Sequence, residues 1–201
     1  MRKGIRQGVF KNLFYALKDG SNKTRLSALI MGFGQLSRKQ IAKGLFYLAV
    51  QIAFLAYMLF FGGRYIGHLF SGNLGTQLAG ERWNEELQLF EKIKGDNSFL
   101  ILLYGVMSLA ILAIFLVVWA MNIRGSYEND LRLREGRNLA TFRDDFQSLL
   151  NERFYIPLLI LPFIGLLIFT VMPLIFMVLI AFTNYDYAHM PPGKLFDWVG
   201  H

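Results

Sequence analysis

The chain has 201 residues, of which 54% are hydrophobic and 17% charged, with no cysteine and a net charge of +7; its mean hydropathy is +0.38. Soluble domains run at about 45–50% apolar and about 25% charged, so this composition excludes a disordered chain and disfavours a soluble globular fold, because the apolar residues fall in long blocks. The missing cysteines exclude a disulfide-stapled secreted domain, thiolate metal ligands and cysteine nucleophiles.

Residues 1–43 form a basic segment. Ten cations (Arg2, Lys3, Arg6, Lys11, Lys18, Lys23, Arg25, Arg38, Lys39 and Lys43) face one acid, Asp19. Within it, Phe10, Phe14 and Leu17 fall at helical spacing over 8–18, with Gly20 as a stop. Leu26–Leu36 has 11 residues and two glycines, too short to span and suited to an interfacial or buried place. Gly32-Phe-Gly34 lacks the third glycine and the preceding strand of a dinucleotide fingerprint. The segment is too long for the n-region of a signal peptide, and no small-x-small cleavage site follows.

The first long apolar block is 44–61, 18 residues with Gln51 as the one polar member. Gln51 fits an interhelical hydrogen bond, with a place on a solute path as the alternative. The loop 62–97 follows; in 81–94, Trp83, Leu87, Phe90 and Ile93 take helical spacing against Glu81, Glu85, Glu86 and Glu91, which predicts a short amphipathic helix. The second block, 98–122, has 25 uncharged residues. In the loop 123–153, Leu139, Phe142, Phe146 and Leu149 predict another amphipathic helix over 137–150, with Arg143, Asp144 and Asp145 opposite. The three amphipathic segments either lie in the membrane interface or cap neighbouring helices; spacing alone does not choose. The third block, 154–183, has 30 uncharged residues, too long for an upright crossing, so it is tilted or kinked; Pro157, Pro162 and Pro173, with Gly165, interrupt its backbone ladder, as a static kink or as a broken helix of the kind that recurs in transporters. The tail 184–201 turns at Met190-Pro191-Pro192-Gly193.

Three blocks of this length predict an all-α, polytopic membrane protein: three transmembrane helices with short amphipathic connecting helices. Alternate sides of those blocks carry 16 and 5 Lys/Arg. The positive-inside rule then places the N-terminus and 123–153 in the cytoplasm, and 62–97 and the tail outside. The Asn22-Lys-Thr24 sequon falls on the inner side and is discarded. Anionic membrane lipid is the expected partner of the basic segment; without a basic stripe interleaved with aromatics, nucleic acid is not.

Catalytic chemistry is not indicated. There is no P-loop, so this chain does not itself hold ATP. His68, His189 and His201 are scattered without metal-ligand spacing. Asp144 and Asp145 are adjacent and read as a solvated helix face. No ionisable residue lies within a block, so none offers a proton relay. No catalytic, cofactor or metal residue is assigned, and no enzyme activity is expected.

The end of the third block reads Met172-Pro-Leu-Ile-Phe-Met-Val-Leu-Ile-Ala-Phe-Thr-Asn-Tyr-Asp186, followed by His189-Met-Pro-Pro-Gly-Lys-Leu-Phe-Asp-Trp-Val-Gly200. With Met31-Gly-Phe-Gly-Gln-Leu and Lys43-Gly-Leu-Phe-Tyr-Leu, this resembles the first permease subunit of maltose-type ABC sugar importers, in a Gram-positive form, from about residue 25 onward. The resemblance implies a bacterial plasma-membrane component of alternating-access import of malto- or galacto-oligosaccharides. It also implies a second permease subunit, two ATPase subunits that bind the ATP, and an extracellular sugar-binding protein. The family's permeases have more than three spans and a cytoplasmic Glu-Ala-Ala loop that docks on the ATPases. Neither occurs here, and His201 stands where the family usually has an apolar residue. The expectation is an N-terminal fragment or truncated product whose sugar contacts lie beyond residue 201, so no substrate residue is named. A stand-alone three-span scaffold without transport activity is the alternative.

Overall fold

The structure is a computed structural model that describes residues 9–139, 141–151, 154–191 and 193–199; the side chains of residues 9–12, 145 and 149 lie outside that description. Phe10, Lys11, Leu149 and Asp145 therefore carry no side-chain account, nor do Arg2, Lys3, Arg6, Pro192, Gly200 and His201. In chain order the elements are α1 (Val9–Asp19), α2 (Asn22–Leu29), α3 (Phe33–Leu36), α4 (Ile41–Tyr57), a π-turn at Met58–Gly62 and α5 (Gly63–Phe70). Strands β1 (Gly80–Asn84) and β2 (Leu89–Ile93) follow, then α6 (Ser98–Arg134), α7 (Phe142–Leu150), α8 (Tyr155–Leu166), a π-turn at Leu167–Val171 and α9 (Met172–Ile180).

Three continuous helical stretches, Ile41–Phe70, Ser98–Arg134 and Tyr155–Ile180, are long and apolar enough to cross a membrane. Their side chains are mostly exposed: Leu59, Phe60 and Phe169 are about four-fifths accessible. Such apolar exposure suits lipid and not water. The prolines of the third stretch are placed in three different ways, with Pro162 inside α8. Pro157 sits in the first turn of α8, where a missing N–H costs nothing. Pro173 follows the π-turn Leu167–Val171, which opens the ladder where the proline ring would meet a carbonyl of the preceding turn.

The residues form two compact units, 1–56 with 112–160 and 57–111 with 161–201. In the first, α2 and α3 lie against the C-terminal part of α6, with Met31, Ala16 and Ile123 buried. Phe54 stacks on Phe115 at a centroid distance of 3.7 Å. Helix α1 ends at Asp19, next to the predicted glycine stop, yet Phe14 and Leu17 stay exposed while Ala16 is buried. In the second unit, Leu74, Ile101, Leu102 and Phe196 form the core, with Tyr65, Leu69, Phe99 and Phe176 packed around it.

The segment 81–94 is not a helix. It is an antiparallel hairpin in which Glu81 pairs with Lys92, Arg82 with Glu91 and Trp83 with Phe90. The Asn84 side chain accepts the N–H groups of Glu86 (3.0 Å) and Leu87 (3.2 Å), and Gln88 takes a positive φ of 49°. This Asx turn reverses the chain. Trp83, Leu87 and Phe90 satisfy a helical period because a four-residue turn returns Phe90 beside Trp83, where the rings meet edge to face at 5.0 Å.

Other boundaries move: the first helical stretch runs from Ile41 to Phe70 and not 44–61. Helix α6 runs twelve residues past Asn122, and α7 starts at Phe142, not 137. The α7 start is set by a capping box: Thr141 Oγ1 accepts the Asp144 N–H, and the Asp144 carboxylate accepts the Thr141 N–H at 2.7 Å. That hydrogen bond holds the Asp144 carboxyl below its ordinary range, and Asp144 is exposed, as the solvated-face reading expects.

Candidate functional site: a buried polar seam and a carboxy-terminal clasp

In the first unit the polar seam begins with an unmet need. The last carbonyls of any α-helix have no partner inside the helix. In α2, the Leu26 carbonyl receives the Ile30 N–H at 2.9 Å. The next three are met by side chains: Ser27 by Asn122 Nδ2 (2.8 Å), Ala28 by Trp119 Nε1 (2.8 Å) and Leu29 by Gln51 Nε2 (2.9 Å). Asn122 Oδ1 accepts the Gly32 N–H at 3.0 Å, and Gln51 Oε1 accepts the Met31 N–H at 2.8 Å. Gln51 thus makes the interhelical bond read from sequence, directed at the backbone of the α2–α3 turn.

Two turns further along α6 the seam becomes ionic. The Arg38 and Asp130 side chains pair with only 3% and 8% of their surfaces accessible. Asp130 also accepts Ser21 N–H (3.0 Å), Ser21 Oγ (2.9 Å) and Thr24 Oγ1 (2.6 Å). Arg38 Nη1 donates to the Gly34 carbonyl at 2.7 Å and to Ser126 Oγ at 2.9 Å. Thr24 has one hydroxyl proton and spends it on Asp130, so the 3.1 Å contact with Ser126 Oγ is donated by Ser126. A buried ion pair is tolerated only when both members are hydrogen-bonded as fully as this. The pair ties the start of α2 and the segment just after α3 to one stretch of α6.

The backbone approach is tight. A Cβ on Gly34 would stand 2.0 Å from Ser126 Oγ, and one on Gly32 would stand 2.1 Å from the Gly44 carbonyl oxygen. Gly32 also has a φ of +83°, open to glycine but strained for other residues. The Gly32-Phe-Gly34 pattern thus serves helix docking. Sequence reading counted Arg38 and Asp130 only as loop charges. The available signal was the spacing Asn122, Ser126, Asn129, Asp130, one face of a helix continued beyond the apolar block.

In the second unit the Ala181-Phe-Thr-Asn-Tyr185 stretch closes a clasp. Thr183 Oγ1 donates to the Ile180 carbonyl at 2.7 Å, ending α9. Asn184 and Asp197 bond twice, Asn184 N–H to the Asp197 carbonyl (2.9 Å) and Asp197 N–H to Asn184 Oδ1 (2.7 Å). Asp197 Oδ1 also takes the Leu74 N–H at 3.1 Å, and Ser98 Oγ takes the Phe196 N–H at 3.2 Å. Phe196 is 1% exposed and lies edge to face against Phe99 and Tyr185. These residues serve architecture: the clasp fastens the loop after α9 to α6 and to Leu74.

Among the described residues, the histidines form no metal-ligand group. His68 Nδ1 donates to the Asn73 carbonyl at 3.2 Å, and His189 Nδ1 meets Asp186 at 2.7 Å. That second contact holds the Asp186 carboxyl below its ordinary range.

Over 184 residues the chain is 30% identical to the maltodextrin transport system permease protein MalC of Streptococcus pneumoniae, covering 91% of this chain and 38% of that protein. It is 30% identical over 179 residues to the galactooligosaccharides transport system permease protein GanP of Bacillus subtilis, covering 87% and 38%. The chain is a homologue of sugar-transport permeases. The maltodextrin permease MdxF of Bacillus subtilis adds 28% identity over 190 residues, 94% of this chain and 40% of that protein. The chain spans about two-fifths of the length of the curated relatives it matches. No family model and no solved structure matches it. With three helices of membrane-crossing length and apolarity, this is a membrane protein.

Proposed function

We propose that this chain is part of the membrane-spanning permease subunit of an ABC importer of malto- or galacto-oligosaccharides. The observation that carries this reading is similarity to three sugar-transport permeases along about nine-tenths of the chain. The chain contributes lipid-embedded wall and fixed points. The seam holds α2 and α3 on α6, and the clasp fixes the loop after α9. A sugar path needs polar and aromatic groups shielded from lipid, and a partner permease and further helices would complete it. Energy would come from two ATPase subunits and delivery from an extracellular sugar-binding protein. The importer sits in a bacterial plasma membrane.

In the proposed topology the side of the membrane rich in Lys and Arg, 16 against 5, is cytoplasmic, so the N-terminus lies inside. These 201 residues contain no cysteine, so a single cysteine introduced among them reports its own side of the membrane once any cysteine elsewhere in the protein is replaced. In intact cells a membrane-impermeant maleimide should label Glu86→Cys and spare Lys23→Cys; the reverse pattern would overturn the topology. Transport is tested by deleting the gene and following uptake of labelled maltodextrin and galacto-oligosaccharide, with and without the complementing gene. Uptake of both sugars at the undeleted rate would overturn the assignment.

A further inference from the structure

In the first unit, helix α7 carries an apolar face that the described residues leave open. Phe142, Phe146 and Leu150 recur every fourth residue, which puts them on one side of the helix, and they are 48%, 54% and 48% exposed. Gln147 and Ser148 fall on the other side. Every described side chain of α7 is exposed or half-buried. At nine residues the helix is too short to hold its shape unaided, because isolated helices under about 12–15 residues are marginal in water. The capping box of Thr141 and Asp144 secures only its first turn.

Both ends of α7 are held where membrane spans begin. At its start, Thr141 and Phe142 share a cavity of about 390 Å³ with Gln40, Ile41 and Ala42, and Ile41 opens the first membrane-length stretch. At its end, the four residues 151–154 lead to Tyr155, which opens the third; four residues reach at most about 14 Å. Successive spans alternate in direction, so the starts of the first and third lie on one side of the membrane. The second stretch emerges on that side. Its apolar run gives way at Arg124, and the helix goes on for ten residues to Arg134, about 15 Å. The seven residues 135–141 reach at most about 25 Å, enough to return to the membrane surface. Beyond Leu150 the exposed apolar surface continues through Phe154, Tyr155 and Leu158 onto the third stretch.

We infer that α7 lies in the plane of the membrane interface, with Phe142, Phe146 and Leu150 seated in the bilayer between the starts of the first and third spans. This rests on the membrane placement of those spans and not on the sugar assignment. The stripe runs without a break into a surface that lipid covers, so the same lipid covers both. A short helix with one apolar and one polar face is stable in that position, its apolar side chains below the headgroups and its polar ones in water.

The test places one nitroxide at a time, on Phe142→Cys, Phe146→Cys, Leu150→Cys, Gln147→Cys or Ser148→Cys, in the full-length permease freed of any other cysteine. The protein is reconstituted in phosphatidylglycerol–phosphatidylcholine liposomes, alone and with the partner subunits of the importer. Power-saturation EPR compares collisions with oxygen, which concentrates in the bilayer, and with a nickel chelate, which stays in water. In both preparations the labels at 142, 146 and 150 should favour oxygen and lie about 5–10 Å below the headgroups, while those at 147 and 148 favour nickel. Nickel access at 142, 146 and 150 equal to that at 147 would overturn the placement. So would immobile labels there that neither reagent reaches, which would show a protein partner as the cover. Phe146→Asp should move the label at 150 towards water, and Phe146→Leu should leave it at depth; an unchanged depth in Phe146→Asp would overturn the stripe as the anchor. The labels are read without sugar, so a failed collision pattern leaves the uptake assignment standing, and failed uptake leaves the collision pattern unchanged.

Discussion

Replacing Arg38 with Met tests the ionic seam most directly. The methionine keeps much of the aliphatic stem and removes the guanidinium. Asp130 keeps three donors, Ser21 N–H, Ser21 Oγ and Thr24 Oγ1, but loses its counter-ion in a place where its side chain is 8% accessible. Removing one member of a buried pair costs about 3–5 kcal/mol. The Gly34 carbonyl and Ser126 Oγ lose their Arg38 donor as well, which favours the upper half of that range. Because only α2 and α3 are held by this pair, the loss should appear as local opening. In amide hydrogen exchange on the detergent-solubilised protein, protection over residues 21–38 should fall by about two to nearly four orders of magnitude at 1.4 kcal/mol per decade. Amides around Leu74, Ile101 and Leu102 should keep theirs. Asp130→Asn should cost less, because Arg38 retains Gly34 and Ser126 as acceptors. A change of less than tenfold over 21–38 in Arg38→Met would refute the claim that the pair ties these segments to α6.

Three further outcomes follow from the geometry. Gly34→Ala places a methyl group 2.0 Å from the Ser126 Oγ position, so it should destabilise by about 2–4 kcal/mol in denaturant titration, and Ser126→Gly should restore part of the loss. Asp96 accepts the N–H groups of Thr76 (2.9 Å) and Gln77 (3.0 Å), and these hold its carboxyl below the ordinary value of about 3.9. A depressed carboxyl stabilises fully above its unfolded value and loses that contribution as pH falls through its folded value. The loop closure should therefore be constant from pH 7 to about 5 and weaken below about 4, read from the Asp96 carboxyl carbon shift, with Asp96→Asn abolishing the dependence. Phe90→Ala removes the Trp83 cross-strand pair and should cost the hairpin about 0.5–1.5 kcal/mol, seen as a red shift and faster quenching of Trp83 fluorescence in a background with Trp119 and Trp198 replaced.

The three apolar stretches were legible because a membrane-crossing helix leaves a long uncharged run that no soluble element produces. Gln51 was legible for the same reason, as a polar residue inside such a run. The Arg38–Asp130 pair was not. Charges next to a span usually face water, and only the pairing of segments 92 residues apart makes them interior. The hairpin at 80–93 was misread because glutamates between large apolar residues fit both periods, and the decisive residue, Asn84, acts through its backbone neighbours. The Phe-Thr-Asn-Tyr stretch carried the family resemblance, but its work in the clasp depends on Asp197 and Ser98, which local sequence does not link to it.

The π-turn at Met58–Gly62 makes the chain wind one residue more than an α-helix would over the same rise. Everything after it is therefore rotated by about 100°, one residue's share of a turn. Arg64 and His68 owe their angular position to that offset, and both contribute to the field around Asp96. Deleting a single residue from this turn would leave the apolar run long enough to cross a bilayer while swinging both cations away from the carboxylate. Length-neutral substitutions in the turn should be tolerated far more readily than one-codon deletions.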